Sequence, residues 1–327
     1  MRNVVSDAGT ASISRFVLAT ASCVAAATVL SAQQPSQAPV VHTLHVQKNV
    51  HMMAGPAGNT VVQVGEDGPL VVDAQPSDAA QALRAAIRAL SPKPIHTIID
   101  THLLSDRPGG DDALIKLRGT GASQQVRVAA HEAVLNRLVN GPDAGNKPVG
   151  GLALNQVISL PINNTYTSPG RDFYLNGESV FLYHAPTAHS DGDTIVHFRG
   201  SDVLAVGRLF EPDRYPVIDI ARGGSVNGLI AALNHILELT VPARFQEGGT
   251  YVVPGRGRLS DEADVVEYRD MVTIVRDRVG ALVGRGRTLA QVKAARPSSD
   301  YDPEFGGAGT SSPDAFVESI HRSLGGK

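Results

Sequence analysis

The stretch IIDTHLLSDRPGG, residues 98–110, sets His102, Asp106 and Arg107 directly behind a short apolar run. Imidazole and carboxylate offer lone pairs to a cation. A guanidinium stays protonated and does the opposite, taking carboxylates or phosphates in a two-pronged grip. Three more stretches have the same make-up. PTAHSDGD (186–193) carries His189, Asp191 and Asp193, AVGRLF (205–210) carries Arg208, and VVPGRGRL (252–259) carries Arg256. Each follows a β-type run and each holds small residues, so backbone from all four can approach one centre, as sites built on loops require.

The intervening pattern has to supply those loops. Residues 60–72, TVVQVGEDGPLVV, are two apolar runs around a Gly-flanked acidic turn, which predicts a hairpin. A helix is expected over 78–90, with Leu83, Ala86, Ile87 and Leu90 on one face and Asp78 with Gln81 as a capping box. IHTIID (95–100) reads as a buried strand, 111–117 as a helix, VRVAA and HEAVLNRLV as a strand and then a helix. Residues 140–178, rich in Gly, Pro and Asn, read as loop. SVFLYHAP, TIVHF, DVLAVG and TYVVPG are further strands; helices are expected over 225–239 and 261–278. Residues 296–313 read as a linker before a short amphipathic helix, DAFVESIHRSL. Strands and helices mix in two similar halves, which predicts a layered α/β sandwich.

The chain of 327 residues is 42% hydrophobic and 19% charged, enough for a large core. A net charge of −3 gives no basic footprint, so nucleic acid is not an expected partner. Residues 1–32 read as an export signal: Arg2 and Arg15, an apolar small-residue run over 16–32, then polar QQPSQAP, with cleavage expected after Ala32. The apolar run is short for a bilayer, so no stable membrane span is expected once the signal is removed, and the protein is expected to be exported, periplasmic or secreted. The sole cysteine, Cys23, lies inside this segment, so cleavage there leaves no thiol and excludes disulfides and cysteine catalysis.

In order and content, the four loop segments resemble the metallo-β-lactamase superfamily, whose pattern runs T-H-x-H-x-D-H-x-G-G, then H-T-x-G-D, then a strand ending G-D, then P-G-H-G. The resemblance spans about residues 42–280, and the GEDGPLVVD hairpin and AHEAVLNRL helix share it. It implies an αββα sandwich over 33–285 with a metal site at one edge, leaving 286–327 as a C-terminal extension. Carried over position by position, it keeps three ligands, His102, Asp106 and His189. It replaces histidines by Leu104, Arg107 and Arg256, and the bridging aspartate by Arg208.

Zinc wants about four N, S or O donors at roughly 2.0–2.3 Å. Leucine has none, and two unit charges about 4 Å apart repel by roughly 4 kcal/mol at an effective dielectric near 20, a divalent ion doubling that. A dinuclear centre is therefore not expected, and no cofactor is. Two metal ions would supply about +4 and three guanidinium groups about +3, so positive charge is replaced in kind. The resulting expectation is an arginine-rich, metal-free pocket formed by Arg107, Arg208, Arg256 and Asp106, open to a small anionic molecule. The competing reading of the same residues is an internal salt-bridge cluster plugging a dead site. The alternative function is hydrolysis of esters, amides or lactones with one zinc ion at most, held by His102, Asp106 and His189.

Other candidates carry blander readings. Asp191 and Asp193 suit turn and strand-edge hydrogen bonds, His131 a helix start, and His184, on a strand, a core or edge position in preference to one facing the pocket. Asp73 is expected to fix a turn. PGRGR lacks the Lys-Ser/Thr of a phosphate loop, and Ser190 beside His189 does not make a nucleophile.

Overall fold

The computed structural model describes residues 39–103, 110–117, 126–140, 162–246 and 248–326. Two sheets face each other. The first has seven strands in sequential order: β1 (His42–Gln47), β2 (Val50–Gly55), β3 (Gly58–Gln63), β4 (Leu70–Val72), β5 (Thr97–Ile99), β6 (Arg127–His131) and β7 (Asn164–Tyr166). It is antiparallel from β1 to β4 and parallel from β4 to β7. The second has five strands, ordered β12 (Tyr251–Val253), β11 (Val203–Ala205), β10 (Asp193–Phe198), β9 (Glu178–Ala185) and β8 (Gly170–Leu175). Only its β11–β12 pair is parallel.

Three apolar layers follow from the period-2 alternation of these strands. Leu70, Val72 and Ile99 point between the sheets, meeting Leu182, Val196 and Phe198 of the opposite sheet. Their neighbours Val71 and Ile98 point outward, onto Leu83 and Ile87 of α1 (Ala80–Leu90) and Leu114 of α2 (Gly110–Leu117). On the far side Ile195 and Leu204 pack against α4 (Val226–Leu239), α5 (Glu262–Gly284) and α8 (Pro313–Ser323) through Leu229, Leu233, Val272 and Phe316. Strands covered on both faces read as unbroken apolar runs such as LVV and VLA. The arrangement is the αββα sandwich expected from the sequence, with α3 (Glu132–Asn140) following β6 on the first face.

Several local expectations need correction. The run over 140–178 contains β7 and β8 in its described part. β1 and β2 precede the expected hairpin, whose two strands are β3 and β4. α1 starts behind Ala79 with no side-chain cap, so Asp78 and Gln81 form no capping box. True capping boxes are Asp261 with Asp264 on α5, which runs on to Gly284, and Thr288 with Gln291 on α6 (Leu289–Ala294). The expected linker over 296–313 holds the one-turn helix α7 (Asp302–Phe305), because Phe305 has a core slot beside Tyr215 and Tyr268. Among the described residues no helix is long and apolar enough to cross a membrane.

Candidate active-site edge

The described parts of the four segments meet where β4, β5, β11 and β12 end and where β9 turns into β10. At the end of β4, Asp73 takes up a left-handed conformation with φ 59°. Its carboxylate receives the Thr101 N–H at 2.8 Å and the Thr101 hydroxyl at 2.7 Å. Asp73 thus fixes a turn as expected, and the turn it fixes carries His102. Because the Thr101 hydroxyl spends its one proton on Asp73, it accepts from His102 Nδ1 at 2.8 Å. That sets the neutral ring with its lone pair on Nε2. Thr101 also ties the sheets together, its carbonyl receiving Thr194 N–H of β10 at 2.7 Å.

His189 is brought opposite. Its carbonyl accepts Asp219 N–H at 2.8 Å, and a Cβ on Gly224 would lie 2.2 Å from that oxygen, so only glycine fits there. Asp193 closes the loop by accepting Ser190 N–H at 2.6 Å and Ser190 Oγ–H at 3.0 Å, the turn role expected of it. Its carboxylate lies 3.4 Å from His189 Nδ1. The His102 and His189 rings, both buried, stand edge to face with centroids 5.5 Å apart.

The two arginine loops are zipped to each other and to this edge. Gly255 N–H donates to Gly207 O at 2.8 Å, and Val206 N–H to Val253 O at 3.1 Å. From the first sheet, Asn59 Nδ2 donates to Pro254 O at 2.9 Å and Gly257 O at 3.0 Å, gripping both sides of Arg256. Gly207, at φ 51°, passes so close to Thr101 that a Cβ would sit 2.2 Å from its hydroxyl oxygen. The backbone thereby aims Arg208 and Arg256 at one residue that sequence reasoning missed. Glu211 is 3% exposed, and its Oε1 lies 3.7 Å from Arg256 Nε and its Oε2 3.9 Å from Arg214 Nε. Burial pushes the Glu211 carboxyl up from its ordinary value, and Arg208, Arg256, Arg214 and His189 pull it back down. Arg214 also pairs with Asp213 at 2.9 Å.

Of the residues singled out from sequence, His102, His189, Arg208 and Arg256 come together at this edge. Asp106, Arg107 and Leu104 lie outside the described residues. Among the described residues, guanidinium groups, which have no lone pair to give, stand near the two imidazoles. Among the described residues no cluster of three His, Cys, Asp or Glu side chains could hold a metal ion.

Residues 54–248, more than half of the chain, match the profile of the metallo-beta-lactamase superfamily, and the protein belongs to that superfamily. Solved structures resemble it at low identity. The stereoselective inverting sec-alkylsulfatase Pisa1 from Pseudomonas sp. superposes with a TM-score of 0.61 at 14% identity, over 87% of this chain and 50% of the sulfatase. This chain therefore spans about half the length of that relative. DIM-1 metallo-beta-lactamase gives a TM-score of 0.52 at 15% identity over 72% of this chain and 97% of its own, and a metallo-beta-lactamase from Pontibacter korlensis 0.51 at 12% over 71% and 99%. At such identities the likeness is one of fold. No curated protein sequence matches the chain significantly.

Proposed function

We propose that this chain is an exported superfamily member that works without the paired zinc centre and holds a small oxyanion at the site edge. Arg208 and Arg256 supply the grip, and His102 and His189 line the same edge; Arg107 and Asp106, outside the described residues, are the remaining members of the set in this proposal. The observation that carries this reading is the shared carboxylate. Glu211 holds Arg256 through Nε, the stem side of the guanidinium, beside His189. A guanidinium presents its donors in a fixed fork, the geometry that takes an oxyanion bidentately. Glu211 also keeps several cations together that would otherwise repel each other. The reaction open to such a site is divergent chemistry on an anionic ester, or plain binding. Carboxylate, phosphate and sulfate are the ligands to try first, the last because a sec-alkylsulfatase is among the similar folds.

Thermal unfolding of metal-free protein with each anion tests this. A rise in Tm that saturates with anion and disappears in Arg208→Ala and Arg256→Ala supports it. A wild-type Tm indifferent to every oxyanion at matched ionic strength ends it, leaving the plugged-site reading.

A second reading draws on the facing imidazoles: hydrolysis of esters, amides or lactones with one zinc ion at His102, His189 and Asp106. Protein purified without chelator then carries about one equivalent of zinc and loses hydrolysis in His189→Ala. The first reading expects metal far below stoichiometry. Export is part of the same proposal, and a mature N-terminus at Gln33 in the secreted fraction is its signature.

A further inference from the structure

A second cluster of chemistry-bearing side chains lies where β7 turns into β8. Ser168 is exposed, and its Oγ stands 2.5 Å from His184 Nδ1. His184 Nε2 lies 2.9 Å from the Asp191 carbonyl oxygen, which can only accept. The Nε2 nitrogen therefore carries the proton, Nδ1 of the neutral ring keeps its lone pair, and the Ser168 hydroxyl donates to it. Asp191 is itself held by Arg137, whose NH2 lies 2.6 Å from Oδ2 and whose Nε lies 3.1 Å from the same oxygen. The chain Ser168, His184, Asp191 is thus a hydroxyl, a base and a group that fixes the tautomer of the base.

His131 adds the remaining part. Its ring is stacked on that of His184, with centroids 3.5 Å apart and planes 7° apart. Its Nδ1 accepts the Ala133 N–H at 3.2 Å, so the proton of the neutral ring is on Nε2, which faces Ser168 Oγ at 3.5 Å. Burial, followed by the neighbouring His184, lowers the His131 pKa to about 4, so this ring is neutral at pH 7. Parallel stacked rings cannot share a metal ion, because their lone pairs lie in the ring planes.

We propose that Ser168 is a nucleophile activated by His184 in a metal-free acyl-transfer site for small, unhindered carboxylic esters, with His131 Nε2–H donating to the developing oxyanion. Ser168 Oγ bonds to the ester carbonyl carbon while its proton passes to His184 Nδ1. Collapse of the tetrahedral adduct breaks the bond to the alcohol oxygen, which receives that proton. Water then adds to the acyl carbon, gives its proton to His184 Nδ1, and the bond to Ser168 Oγ breaks as the proton returns to it. The arrangement uses none of the residues assigned to oxyanion capture, so either can fail alone.

The probes are diisopropyl fluorophosphate and p-nitrophenyl acetate, used on the full chain in excess chelator. The wild type is expected to incorporate one diisopropylphosphoryl group on the peptide containing Ser168, with fluoride released. Ser168→Ala loses the label, and His184→Gln slows it by about 100-fold, the low end for a general base. Absence of label on that peptide in the wild type, or equal labelling rates in wild type and His184→Gln, overturns the proposal. Ser168→Cys supplies a second readout that does not depend on phosphorylation. Its thiol should react with iodoacetamide at least about 10-fold faster than in the Ser168→Cys, His184→Gln double variant. Equal rates there also overturn the assignment.

Discussion

Nε of Arg256 lies 3.7 Å from Oε1 of Glu211, and that carboxylate is 3% exposed. The pair joins the loop after β12 to the turn after β11, and it decides how the cations of the site edge coexist. Glu211 feels Arg208, Arg256, Arg214 and His189 at once, and burial still outweighs them all in raising its pKa.

That balance has a measurable sign. A carboxyl with a raised folded pKa contributes most to stability at low pH, where it is protonated in both states. The contribution is lost as pH climbs from the model-peptide value of 4.5 through the folded value. Glu211→Gln cannot titrate. The stability difference, wild type minus Glu211→Gln, should therefore fall as pH rises from 4 to 8, by on the order of 1 kcal/mol for each unit of upward shift. Urea unfolding of both proteins across that range reads it, and a difference that grows with pH contradicts the assignment.

Asp73 is the second pivot. It receives both the backbone and the hydroxyl of Thr101, and charge-assisted bonds of this kind contribute roughly 1.5–3 kcal/mol each. Asp73→Ala also puts alanine at φ 59°. The variant should lose several degrees of Tm, at roughly 2–4 °C per kcal/mol for a chain of this size. Freed from Thr101, the His102 ring should show changed ¹⁵N shifts at Nδ1. An unmoved His102 signal would mean the loop is held by something else.

Gly207→Ala and Gly284→Ala make a matched pair. A Cβ at 207 would meet Thr101 Oγ1 at 2.2 Å, at positive φ, whereas one at 284 meets nothing within 4 Å. The first should destabilise by more than about 2 kcal/mol through clash and backbone strain. The second, at the end of α5, should stabilise by roughly 0.5–1 kcal/mol through reduced unfolded-state entropy. Denaturant midpoints of the two variants against wild type settle both.

The layered core was legible because its strands are covered on both faces, and covered strands leave apolar runs that no loop produces. β1 was not, because four of its residues, His42, Thr43, Leu44 and His45, are exposed on an edge and carry no alternation. The region rich in Gly, Pro and Asn hid β7 and β8 because cross-strand pairing, a long-range property, decides its conformation. At the site, His102, His189, Arg208 and Arg256 could be found from motif spacing. Glu211 could not: in FEPDR it reads as a surface turn, and the Arg256 that meets it lies 45 positions on by 256 − 211. The one local hint was an acidic residue directly after the Arg208 segment. Ser168 and His184 gave no sequence signal either, since their meeting depends on the β8–β9 register that sets Gly170 against Tyr183.

The account rests most on oxyanion capture by Arg208 and Arg256. Isothermal titration of chelator-treated protein with inorganic phosphate and with sulfate, against an Arg208→Ala, Arg256→Ala double variant, tests it most directly. The account predicts one saturable site in the wild type, weakened at least about 10-fold in the double variant, a loss of about 1.4 kcal/mol or more. Heat at the level of buffer dilution in the wild type, or an isotherm unchanged by both substitutions, would contradict it.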